Sequence, residues 1–196
     1  MPKTLYLIRH GLIQSNVEDV YAGRNHEALT EAGARHAELV GGELRGWGIR
    51  VVYASPLLRA VQTAELINRH LGARMVIDSE LTEMELGPWT GLSKSEVAMR
   101  FGAAYKTWCR RPADFRMDGM EGLSQILGRI QFAIERFLSM APEQSAAMVT
   151  HAALIKCAFL YINRLPLNAY HQTHVPNLSV FRITFCKSRS TIVRVK

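Results

Sequence analysis

The stretch Thr4-Leu5-Tyr6-Leu7-Ile8-Arg9-His10-Gly11 carries the reading of the fold. Its first five residues form a compact run rich in β-formers, bounded by charge, and read as a buried strand. The strand stops at Arg9-His10-Gly11. The same design returns at Ala146-Ala147-Met148-Val149-Thr150, which stops at His151. Two shorter runs, Val51-Val52-Tyr53-Ala54 and Met75-Val76-Ile77, also read as strands. Helical patterns lie between them. Thr30 caps one, with Ala32, Ala37, Leu39, Val40 and Leu44 as its apolar stripe and Gly46 and Gly48 at its end. Ser55-Pro56 starts a second, with Pro56 at the first helical position and Leu57, Val61, Ala64, Ile67 and Leu71 on the apolar face. A polar, glycine-rich loop to Gly91 leads into a helical stretch over 93–108. Residues 122–138 form a longer helix with Leu123, Ile126, Ile130, Phe132, Ile134 and Phe137 along one face, and another helix runs from His151 to about Ile162. Residues 179–185 and 191–195, joined by a turn at Lys187-Ser188-Arg189, read as a closing hairpin. Strands alternating with helices predict an α/β fold around a mainly parallel sheet, which the hairpin makes mixed.

Composition narrows the class. Of 196 residues, 48% are apolar and 21% charged, so bulk disorder is excluded and the chain can bury a core without staples. Cys109, Cys157 and Cys186 lie far apart and share no metal-ligand spacing. They read as packing residues of a protein in a reducing compartment. No apolar run approaches the ~20 residues of a spanning helix, and Met1-Pro2-Lys3-Thr4 has no signal-peptide layout. A cytoplasmic protein with no membrane partner is expected. The net charge of +7 favours anionic partners. The basic residues are scattered, without a block interleaved with aromatics, so a small anionic substrate is expected and nucleic acid is not.

Ligands of open α/β sheets bind beyond the carboxyl ends of the strands. Two strands here end in histidine. If they are neighbours, His10 and His151 face each other across one pocket. The residues around them resemble the histidine phosphatase superfamily, the phosphoglycerate mutase-like proteins. Arg9-His10-Gly11 matches its first signature, and Asn16 falls at its asparagine. Leu29-Thr30-Glu31-Ala32-Gly33 matches its helix start. Ser55-Pro56-Leu57-Leu58-Arg59-Ala60-Val61-Gln62-Thr63-Ala64 is a near-complete copy of its second motif. Leu81-Thr82-Glu83, with Gly87, Trp89 and Gly91, is similar to its acidic loop; Glu121 and Arg129 fit a further helix start, and Val149-Thr150-His151 its closing motif.

The resemblance implies a three-layer αβα sandwich over residues 1–196, one domain with about 92–120 inserted as a small helical cap. It implies a phosphatase that takes phosphate monoesters through a phosphohistidine, with no metal and no cofactor. His10 would be the nucleophile, Arg9 and Arg59 would clamp the phosphoryl oxygens, His151 would donate to the group in transfer, and Glu83 would serve as general acid and base. Glu85 stands two residues away as the other acid, and the family pattern favours Glu83. Asn16, Gly11 and Ala152 are candidate phosphate contacts, the last through its backbone N–H. Arg24 and His174 are candidate contacts to the rest of the substrate, and His26 reads either as such a contact or as exposed and inert. Trp108, Arg110, Arg111, Phe115 and Arg116 of the cap read either as substrate contacts or as part of a surface subdomain whose arginines face water. Trp89 reads as packing, and His36 and His70 as surface.

The sequence departs from the family at Leu12-Ile13, Ala22, Gly122 and Ala152, where small polar groups or glycine are usual. Lost polarity near the mouth suggests a less polar or bulkier leaving group. His151 follows Glu83 by 68 residues, short for a mutase's covering insertion, so hydrolysis is expected over a mutase-type phosphotransferase. A catalytically idle phospho-ligand binding module is the reading from another class. Monomer and homodimer both remain open.

Overall fold

A computed structural model of the chain describes residues 3–140, 145–186 and 190–196. Six strands form one sheet: β1 (Lys3–Arg9), β2 (Val51–Ala54), β3 (Arg74–Ile77), β4 (Ser145–Thr150), β5 (Val180–Phe185) and β6 (Thr191–Arg194). Their order is β3-β2-β4-β1-β5-β6. The first four in that order run parallel, and β5 and β6 are antiparallel to their neighbours. The hairpin's turn at 187–189 lies outside the described residues.

Side chains of a strand alternate between faces, and here both faces are covered. Leu5, Leu7, Val51, Ala146 and Met148 pack into one apolar cluster, and Tyr6, Ile8, Val52, Ala54, Ala147 and Val149 into the other. That double burial is why β1 and β4 read as unbroken apolar runs. Helices α2 (Glu31–Leu44) and α3 (Leu58–Leu71) cover the second cluster. Helices α6 (Leu123–Met140) and α7 (Ala152–Asn163) cover the first. A short turn of helix, α1 (Gln14–Val17), follows β1, and α4 (Lys94–Arg100) and α5 (Gly102–Arg110) lie between β3 and α6. The sandwich is three-layered, as the resemblance implied. Among the described residues, no helix is long and apolar enough to cross a membrane.

The element limits show which local signals decide. Thr30 caps α2, its side chain accepting from the Gly33 N–H at 3.0 Å. Ser93 and Glu96 cap α4 reciprocally. The single stretch expected over 93–108 divides at Phe101, just before Gly102, a weak helix former. The second helix starts at Leu58, not at Pro56; Leu57 is its extended N-cap, and its N–H donates to Ser55 Oγ at 3.3 Å. Three predicted stripe positions, Ala32, Leu39 and Phe132, face solvent; the buried faces use Gly33, Gly41 and Ala133 instead. Cys157 is buried, whereas Cys109 and Cys186 are exposed and pack no core.

Close backbone contact explains Gly33. A Cβ there would lie 2.3 Å from the Leu12 carbonyl oxygen. That contact presses α2 against the loop after β1, where the Thr30 N–H also donates to Leu12 O at 2.9 Å. Gly42, on the same helix, has open space around it. Gly33→Ala is therefore expected to destabilise by about 1–3 kcal/mol or more, and Gly42→Ala to stabilise by roughly 0.5–1 kcal/mol. Urea midpoints of the two variants check this; a Gly33→Ala midpoint at or above that of Gly42→Ala would refute the contact.

Candidate active site

Parallel pairing of β1 with β4 places Arg9 opposite Thr150. Each chain then leaves the sheet on its histidine. The His10 N–H donates to Thr150 O at 3.0 Å, and the two imidazoles lie 5.1 Å apart between ring centroids. Both rings are buried. His10 Nδ1 lies 2.7 Å from Gly11 O. A carbonyl only accepts, so Nδ1 carries the proton and Nε2 the free lone pair. Burial, reinforced by the charges of Arg9 and Arg59, holds the His10 pKa well below 6.5, while the Gly11 carbonyl opposes this. The ring is neutral at neutral pH, with a lone pair free on Nε2.

His151 is held from behind. Its Nε2 is 2.7 Å from Ser55 Oγ. Ser55 Oγ also accepts from the Leu57 N–H at 3.3 Å. The other ring nitrogen, Nδ1, has no hydrogen-bond partner among the described residues. Burial, with His10 and the arginines adding to it, keeps the pKa of His151 well below 6.5 too.

Two guanidiniums stand beside the histidines. Arg59, on α3, is almost wholly buried. It donates to Asn25 O at 2.8 Å, Asn25 Oδ1 at 3.1 Å and Gly23 O at 2.5 Å. Arg9 donates to Val175 O at 2.8 Å. These acceptors are neutral, and the Nε of each arginine is buried without a partner. Asn16 is aligned by Asn177, whose amide donates to Asn16 Oδ1 at 2.9 Å and to His10 O at 3.0 Å.

Glu83 sits on a braced loop. Arg129 forks onto Glu121 at 2.7 and 2.8 Å and donates to Glu80 O and Thr82 O, each at 2.7 Å. Arg24 donates to Glu83 O at 2.9 Å and to Glu121 at 3.0 Å. Desolvation raises the Glu83 pKa above 4.5, against the pull of the Met84 N–H and of Arg59, Arg9 and Arg129. Glu85 is absent from the pocket wall; it accepts from the N–H groups of Leu86 and Gly87 at 3.1 and 3.2 Å.

Arg9, His10, Asn16, Arg59, Glu83 and Ala152 line one pocket of about 480 Å³. Ala152 is the first residue of α7, so its N–H has no intrahelical acceptor. Gly11, by contrast, donates its N–H to Thr63 Oγ1 at 2.9 Å, and its lack of a side chain serves close approach to Gly33. Arg24 lies off the wall as a brace for the acidic loop. His26 and His174 are exposed and outside the pocket; His171 lines it instead, with Nε2 2.9 Å from Trp108 O. Of the cap candidates only Trp108 reaches the pocket. Phe115 packs against Trp89, and Arg110, Arg111 and Arg116 face solvent, Arg111 beside Asp114 at 3.5 Å. The sequence reading missed Ser55, Lys94 and Lys156. Lys156 was findable, since it stands four residues after Ala152 on the same helix face. A larger cavity of about 800 Å³, between α6 and the carboxyl end of α7, shares none of these residues.

Comparison with known proteins gives the same picture. The model of the histidine phosphatase superfamily (branch 1) matches residues 5–196. The bifunctional protein Rv2228c of Mycobacterium tuberculosis is 31% identical over 156 residues, 79% of this chain. The alignment spans only 43% of that relative's length. A probable phosphoglycerate mutase GpmB of Salmonella paratyphi B is 29% identical over 189 residues, 94% of this chain and 86% of its own. The crystal structure of the α-ribazole phosphatase from Shigella flexneri shares the fold, with a TM-score of 0.86 at 24% identity over 97% of this chain and 95% of that one.

The geometry of His10 predicts its tautomer. Nitrogen NMR of labelled protein at pH 6 should show a neutral His10 ring protonated at Nδ1. A cationic ring at that pH, or a proton on Nε2, would contradict the arrangement.

Proposed function

This chain belongs to the histidine phosphatase superfamily, branch 1, and on that footing we propose that it hydrolyses small phosphate monoesters through a phosphohistidine on His10. The observation that carries the reading is the orientation of His10, with Nδ1 spent on Gly11 O and a bare Nε2 beside two guanidiniums that have no carboxylate partner.

In the first step Nε2 attacks phosphorus and the P–O ester bond breaks. Arg9 and Arg59 hold the equatorial oxygens, helped by Asn16 and the Ala152 N–H. His151 donates from Nδ1 to the oxygens as charge shifts among them. Glu83, whose burial raises its pKa and so favours its protonated form, gives its proton to the leaving alkoxide. In the second step water attacks phosphorus, Glu83 takes a proton from it, and the P–N bond breaks to restore neutral His10. All of this uses groups of the chain itself, so turnover in excess chelator is expected. Residues 92–120 serve as the cap of a single domain. From that segment only Lys94 and Trp108 reach the pocket wall among the described residues, which leaves the phosphohistidine accessible to water. This favours hydrolysis over the mutase chemistry that the name of the Salmonella relative indicates for that protein.

Two titrations set the pH profile. His10 must be unprotonated, and its depressed pKa keeps it so into mild acid. Glu83 must be protonated at the start, and it loses that proton as pH rises through its raised pKa. The optimum therefore lies on the acid side of neutrality. With an alkyl phosphate, Glu83→Gln should lower kcat by roughly 10²–10⁴ and remove the basic limb. His10→Ala should lower turnover by about a thousandfold or more. An unchanged basic limb in Glu83→Gln, or full activity of His10→Ala, would overturn the assignment.

A further inference from the structure

A phosphate monoester alone leaves one cation of the pocket unanswered. The dianionic phosphoryl group compensates Arg9 and Arg59. Lys94, at the exposed rim, is paired with Asp19 at 2.5 Å. Lys156 lines the same pocket, half-buried, with its ammonium 4.7 Å from the centroid of the buried Tyr170 ring. Among the described residues no carboxylate forms an ion pair with it. An aromatic face offers a cation modest compensation compared with an anion. Burial and the nearby charge of Arg9 weaken its hold on its proton, against the pull of Glu83, which acts on it without an ion-pair contact.

The helix fixes where an anion would have to lie. Ala152 and Lys156 are four residues apart on α7 and share the pocket face. Four residues of helix rise by roughly 6 Å. A phosphoryl group at the amino end of α7 and an anion on Lys156 would thus be separated by the length of a short carbon chain. The exposed arginines of the cap do not compete for that anion, since they point away from the pocket.

We propose that Lys156 is a specificity-determining residue, selecting esters whose leaving group carries a second anionic group, a carboxylate or another phosphate, about two or three carbons from the scissile oxygen. The inference rests on the hydrolase reading of the pocket and names the class of ester it prefers.

Two matched pairs test it: 3-phosphoglycerate against glycerol 1-phosphate, and propane-1,3-diol bisphosphate against its monophosphate. The wild type should favour the more anionic member of at least one pair by about tenfold in kcat/KM, carried by KM. Lys156→Met should bring that ratio to within roughly twofold of one, and Lys156→Arg should retain most of it. Using a ratio cancels any general damage to the fold. The pair that responds identifies the anion as carboxylate or phosphate. A wild-type ratio near one in both pairs, or a ratio that survives Lys156→Met, would overturn the proposal and leave Lys156 as a packing residue on Tyr170. Calorimetric titration of the same esters into His10→Ala reads binding without turnover. Preference in binding but no hydrolysis by the wild type would sink the hydrolase reading and support the anion site. Hydrolysis without preference in either experiment would do the reverse.

Discussion

The parallel pairing of β1 with β4 is the constraint on which the site depends. Each strand delivers its last residue to the same edge of the sheet, and the register Ile8↔Val149, Arg9↔Thr150 leaves the two histidines side by side. Because a one-residue slip turns every side chain to the opposite face, that register is enforced by the whole core. Leu5 and Leu7 belong to one cluster and Tyr6 and Ile8 to the other, so a slip would exchange the side chains packed into each, and the close fit of both apolar layers, not polarity, holds the register. The 5.1 Å separation of the imidazoles is thus fixed by apolar burial far from any substrate.

Around that pair the chain assembles positive charge, with Glu83 as the carboxylate that acts on both arginines. Arg9 and Arg59 are oriented by backbone and amide oxygens, which do not neutralise them. The cost of burying such groups is offset by the folded frame, and an anionic ligand gains from it. Burial first, and then the same charges, keep His10 neutral. Glu83 experiences the opposite balance, since desolvation outweighs the arginines and favours its protonated form. One electrostatic environment therefore favours the neutral form of both His10 and Glu83, a combination that nucleophilic attack with a proton donor would need.

Much of this was legible in the sequence, for reasons that differ by element. The buried strands were plain because burial on two faces leaves an uninterrupted apolar run. Thr30 announced the start of α2 because capping is a local interaction. His10, Arg9, Arg59, Glu83 and His151 could be picked out by their family spacing, and the structure brings all five to one place. Leu39 and Phe132 misled because an apolar residue on a helix does not declare which neighbour it faces. For Arg110, Arg111 and Arg116 the sequence left two readings open, since charge density along the chain says nothing about direction, and the structure turns them to solvent. Lys94 and Lys156, 62 positions apart, meet at the pocket only through tertiary packing. The role of Ser55 was hidden because Ser-Pro reads first as a helix start, whereas its hydroxyl serves His151.

The central claim is a covalent bond between phosphorus and Nε2 of His10. The most direct measurement is to mix the protein with a phosphate ester, quench in alkali, and locate the phosphoryl group by mass spectrometry and phosphorus NMR. The account predicts an Nε2-phosphohistidine in the peptide that contains His10, and its loss in His10→Ala. Turnover with no phosphohistidine, or a phosphoryl group on His151 instead, would contradict it.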